Sequence, residues 1–114
     1  MTIRDKMRSN ASHLLQEGET VRAVFPGQTT LSWRIIIIKN SYRVVVVTDR
    51  RILVCQSGRF RPTTVNEVAE ELPRETRIGP AKGLWYRCDT LGERLYIHKR
   101  FHKDVATADA LLSG

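Results

Sequence analysis

Long hydrophobic runs are missing from this chain of 114 residues. The longest uninterrupted ones, Ile35 to Ile38, Val44 to Val47 and Ile52 to Cys55, hold four residues each, whereas a helix that crosses a bilayer needs about 20. An integral membrane protein is therefore not expected. The opening MTIRDKMRSNASHLLQEGE carries early positive charge, but it has neither the apolar run nor the small-residue cleavage site of a secretory signal. A cytoplasmic protein is the expectation.

Cysteine is scarce. Cys55 and Cys88 stand far apart in ILVC and LWYRC, without CxxC spacing, and read as reduced core residues rather than a disulfide or a metal site. Internal repeats, charge blocks and stretches rich in Pro, Gly and Ser are also absent, which leaves an ordinary globular composition and a single core. Catalytic signatures are missing as well: there is no G-x-S-x-G, no P-loop and no H-E-x-x-H. Glu67, Glu70, Glu71 and Glu75 are spaced as on a solvated face rather than as an acid-base dyad. No enzyme, cofactor or metal is expected. His98 and His102, four apart with Cys88 upstream, straddle a strand-to-helix boundary and lack the glutamate of a zinc hydrolase motif.

What the chain does have is positive charge. The formal net charge is +7, carried by fourteen Arg and five Lys. The planar fork of Arg suits phosphate and carboxylate, so an anionic partner is one reading. Scattered, solvated cations are the other, since no more than two basic residues are adjacent anywhere.

The stretch Tyr42 to Cys55, YRVVVVTDRRILVC, sets two apolar runs about a polar corner at Asp49-Arg50, as in a tight antiparallel hairpin. Before it, residues 3 to 16 predict an amphipathic helix from Met7, Ala11, Leu14 and Leu15, ended by Gly18. Thr20 to Phe25 alternates as a strand that Pro26-Gly27 breaks. Leu31 to Ile38, rich in β-branched residues, reads as a further strand turning through Lys39-Asn40-Ser41. After the hairpin, Thr63 to Glu71 is mixed, Pro73 interrupts, Thr76 to Ile78 is a short strand and Gly79-Pro80 a turn. Leu84 to Asp89 and Arg94 to His98 flank a loop containing Gly92. Phe101, Val105, Ala108 and Leu112 then recur at helical spacing and predict a terminal helix over 99 to 112.

The sum is a mainly β fold of about seven antiparallel strands, with a helix laid across one open end and a short N-terminal helix. The division expected is 1–17 for the N-terminal helix and 18–114 for the β domain.

With its Thr48-Asp49-Arg50-Arg51 corner, the strand ILVC, the Gly18-Glu19-Thr20-Val21 approach to the first strand, Leu72-Pro73-Arg74 and the terminal helix, the chain resembles bacterial pleckstrin-homology-like domains. The resemblance covers nearly the whole chain through loosely specified motifs. It implies seven strands in two near-orthogonal sheets, a C-terminal helix, and use in binding rather than catalysis, although fold alone does not decide function. Inositol-phosphate binders of that family usually carry a Lys near the end of the first strand and an R-x-R-like pair in the second. Lys39, Arg43 and Arg59-Phe60-Arg61 are the nearest candidates, and no headgroup pocket is carried onto them.

Three stretches are candidate binding sites. Arg59, Phe60 and Arg61 fall on a loop, where two guanidinium forks can straddle an anion and Phe60 either anchors a partner or folds over the barrel mouth. Lys99, Arg100 and Lys103 form the densest basic cluster about Phe101, which reads equally as the first residue of the buried helical stripe. Trp33 and Arg34 precede the isoleucine run. If Leu31 to Ile38 is a core strand they are unremarkable, and if it is a lipid-facing loop, Arg34 and Lys39 flank it at the interface. The function expected is a non-enzymatic module for a protein partner or an anionic membrane surface, peripheral at the inner face, with self-association through an edge strand as a further route. A small basic nucleic-acid-binding protein is the alternative.

Overall fold

The computed structural model describes residues 2–58 and 64–110. It is mainly β, as expected: six antiparallel strands in one curled, half-barrel sheet with a helix at each end of the chain. The strands are β1 (Val21–Gln28), β2 (Tyr42–Thr48), β3 (Arg51–Gln56), β4 (Val68–Pro73), β5 (Trp85–Cys88) and β6 (Leu95–His98). Their order across the sheet is β4-β3-β2-β1-β6-β5.

The N-terminal helix α1 (Ile3–Ala11) opens on a capping box, in which Thr2 Oγ1 accepts from Asp5 N and Asp5 Oδ2 accepts from Thr2 N. It continues as a 3-10 turn, Ser12–Leu14, before Gly18 turns the chain at φ +80°. At the other end a 3-10 turn, Lys99–Phe101, leads into the C-terminal helix, His102–Ala110.

The continuous apolar runs of β2 and β3 are explained by cover on both faces of the sheet. Val45, Val47, Ile52 and Val54 face a core that includes Phe25, Leu95, Phe101, Val105 and Ala108. Val44, Val46, Leu53 and Cys55 face a second core closed by Met7 and Ala11 of α1. A strand buried on one face alternates; one buried on both does not. The two helices are also tied to each other, because Arg4 grips Asp104 in a bidentate pair with Nε–Oδ1 at 3.0 Å and Nη2–Oδ2 at 2.9 Å. Phe101, Val105 and Ala108 are buried as the helical stripe predicts, and Leu112 lies outside the described residues. Cys55 and Cys88 are both buried and free.

Three local expectations are corrected. Pro26-Gly27 does not end β1, which stays paired with β2 as far as Gln28 opposite Tyr42. Pro26 is tolerated because β1 meets β6 only at the Gln28–Tyr96 pair, so the missing N–H breaks no ladder there. Thr76 to Ile78 is not a strand. Ile78 N and Gly79 N instead donate to buried Asp109 at 2.9 and 2.7 Å, and Ile78 O accepts from Tyr86 Oη at 2.7 Å. Leu31 to Ile38 is not a strand either. The sheet has no place for it, since β1 and β2 pair directly with each other and their outer neighbours are β6 and β3. The run emerges beyond the end of the sheet and winds into one helical turn, α2 (Trp33–Ile36); the C-terminal helix is accordingly α3.

Candidate functional site

Residues 29–41 form a loop standing on the β1–β2 hairpin. Its stem is closed by Thr29 N donating to Ser41 O at 2.9 Å. Thr30 Oγ1 accepts from Ser32 N at 3.1 Å and leads into α2, where Ser32 O accepts from Ile35 N and Ile36 N at 3.1 and 3.0 Å. Past the turn, Lys39 N returns to Ile35 O at 2.9 Å, and Asn40 Nδ2 fixes the loop to Ser57 O at 2.7 Å. Below it, Arg43 Nε pairs with Glu93 at 2.8 Å while Nη1 donates to Asn40 O and Tyr42 O. The loop is thus braced by hydrogen bonds within its own turn and by contacts to Ser57 and Arg43, although its side chains bury little.

Those side chains are the unusual feature of the molecule. Trp33 is 66% exposed, Ile38 65% and Ile37 52%, and Leu31 and Ile35 are exposed beside them. Scattered surface leucines need no explanation, but a contiguous apolar cluster on one loop marks an interaction surface. Arg34 stacks over Trp33 with its guanidinium carbon 5.6 Å from the ring centroid. Neither Arg34 nor Lys39 pairs with a carboxylate among the described residues. The sequence from Thr20 to Thr48 contains no Asp or Glu at all. The loop therefore presents apolar side chains and uncompensated positive charge together.

The candidate residues do not converge on one site. Trp33 and Arg34 belong to this loop. Arg59, Phe60 and Arg61 lie outside the described residues. Lys99, Arg100 and Lys103 are exposed on the 3-10 turn and on α3, after a strand that runs antiparallel to β1 and so leads away from the loop. Phe101 between them is core, 6% exposed, with Arg4 and Arg100 guanidinium carbons 5.3 and 5.2 Å from its ring centroid. Of the two readings open for Leu31 to Ile38, a core strand and an exposed loop, the structure has the loop, with Leu31, Ile35, Ile37 and Ile38 exposed. The signal that marks them is the missing acid between Glu19 and Asp49, together with the polar brackets Thr29-Thr30 and Lys39-Asn40-Ser41.

Nucleophilic chemistry finds no support at Cys55, since burial pushes its thiol up to about 11 and keeps it protonated at neutral pH. His98 and His102 are separately engaged: His98 Nδ1 accepts from Arg100 N at 3.1 Å, and the His102 ring stands edge-on to Tyr86. Among the described residues no group of three or more His, Cys, Asp or Glu side chains is placed to hold a metal ion, and no helix is long and apolar enough to cross a membrane. Compared with family models, with curated proteins and with solved structures, the chain matches none.

Proposed function

We propose that this protein is a non-enzymatic, pleckstrin-homology-like binding module that attaches to an anionic membrane surface by inserting the apolar tip of its 29–41 loop. The observation that carries this reading is the exposure of Leu31, Trp33, Ile37 and Ile38 on a loop flanked by Arg34 and Lys39 and free of acid. Full burial of one large apolar side chain contributes about 1.5–3 kcal/mol. Each Lys or Arg near an anionic leaflet adds about 1 kcal/mol. The apolar contribution is therefore the larger, and charge selects the membrane. Trp33 suits this role, because indole prefers the boundary between headgroups and acyl chains. A nucleic acid would use the cations but would gain nothing from the isoleucines.

Co-sedimentation with vesicles at physiological salt tests the reading. The protein is expected to pellet with anionic phosphatidylglycerol vesicles and much less with neutral phosphatidylcholine vesicles. The triple variant Leu31→Ser, Trp33→Ser, Ile38→Ser is expected to bind about a thousandfold more weakly, since about 1.5 kcal/mol is lost at each of the three side chains. Wild-type protein that stays in the supernatant with both vesicles would overturn the membrane and turn the same surface toward a protein partner.

A further inference from the structure

The seam between β1 and β6 holds a second feature, independent of the loop. The two strands share only the Gln28–Tyr96 pair. Pro26 offers neither neighbouring strand an N–H, and Gly27 places no side chain in the gap. What remains is a cavity of about 190 Å³ walled by Tyr42, Trp85, Tyr96 and Phe101, with Ile3 of α1 on its border. The pocket is open on one side, and its volume is on the scale of an apolar cavity of about 150 Å³ that accepts a molecule the size of benzene.

Of the polar groups on the lining, which also include Tyr42, Tyr96 and Gln28, whose Nε2 already donates to Thr30 O at 3.3 Å, Arg100 and His98 give the cavity a direction. Arg100 is exposed and pairs with no carboxylate among the described residues. His98 faces Trp85 edge-on at 4.9 Å between centroids. Because its Nδ1 accepts from Arg100 N, the neutral ring carries its proton on Nε2, which is left as a donor. No Asp or Glu lines the cavity. An amine would meet Arg100 unfavourably, and a neutral hydrocarbon would leave both donors unused. A carboxylate on an apolar body uses both of these donors, and charge-assisted hydrogen bonds to Arg are the strong kind.

We infer that the β1–β6 seam cavity binds a small organic carboxylate, its apolar part no larger than about one aromatic ring or a short acyl chain. Such an acid arrives either free in solution or from a bilayer, and the site reads the same chemistry in both. Trp33 and Trp85 are the two tryptophans of the chain, so Trp33→Phe leaves Trp85 as the sole reporter and removes part of the membrane loop. Titrating that protein with octanoate in vesicle-free buffer is expected to change Trp85 emission saturably. Octanol should be at least tenfold weaker, and Arg100→Gln should weaken octanoate by about tenfold or more while leaving octanol unchanged. A response that appears only with decanoate carried in neutral vesicles assigns the site to a membrane-borne acid; a response in buffer assigns it to a soluble one. No saturable change with either acid, octanol equal to octanoate, or Arg100→Gln indistinguishable from its parent would overturn the inference. Failure of vesicle binding leaves these outcomes untouched.

Discussion

Glu19 shows how much one side chain holds together. Its side chain is fully buried and accepts from Thr48 Oγ1 at 2.7 Å, from Arg51 Nε and Nη2 at 2.9 and 3.0 Å, and from Gln16 N at 2.9 Å. Arg51 in turn reaches Glu71 at 2.8 Å and Leu14 O at 3.1 Å. The segment after α1, the β2–β3 corner and β4 are thereby joined. Hydrogen bonds from Arg51 are the main reason that the Glu19 carboxyl is lowered from 4.5 to about 2. A carboxylate with a depressed folded pKa contributes its stability above the unfolded value and loses it as pH falls through the folded one. Urea unfolding is therefore expected to show up to about 3 kcal/mol of stability lost between pH 4.5 and pH 2. Glu19→Gln should flatten that slope and cost about 3 kcal/mol at neutral pH, because Arg51 then lacks its buried partner. An unchanged acid slope in the variant would contradict this assignment. None of this is legible in the sequence, where Glu19 and Arg51 stand far apart and pattern reading sees only a charge near a turn.

At the scale of elements, legibility followed local signal. The β2–β3 hairpin, the β5–β6 hairpin with Gly92 at φ +86°, and the buried stripe of α3 are where their patterns place them. The 31–38 run is not, because β-branching describes a preference of residues and not the number of places in a sheet. Pairing partners far along the chain decided its fate. The N-terminal helix is legible as a helix, but its role as one wall of a second core rests on the doubled burial of β2 and β3. Met7→Ala is accordingly expected to cost about 2–4 kcal/mol in urea unfolding. The triple loop variant at Leu31, Trp33 and Ile38 should change stability by less than about 0.5 kcal/mol, as surface substitutions do. If the loop variant destabilised the fold as much as Met7→Ala, the tip would be packing rather than presenting its side chains.

For the whole molecule, the positive charge alone is a weak guide to function, since most of it is dispersed and several cations, Arg4, Arg43 and Arg51 among them, are held in ion pairs. What the fold adds is position: acid-free sequence and exposed apolar side chains occupy the same end of one hairpin. Because the apolar contribution exceeds that of Arg34 and Lys39, raising ionic strength should weaken vesicle binding without abolishing it. A nucleic-acid binder would instead lose affinity steeply along a log–log salt slope. Sedimentation across a salt series separates the two, and complete release at moderate salt would mean that charge acts without insertion.

Insertion of the loop tip is reported most directly by Trp33. In Trp85→Phe protein, emission from Trp33 is expected to shift to the blue and to resist aqueous quenchers when anionic vesicles are added, and to stay solvent-like with neutral ones. Protein that co-sediments with the vesicles while Trp33 emission remains that of an exposed indole would contradict the account.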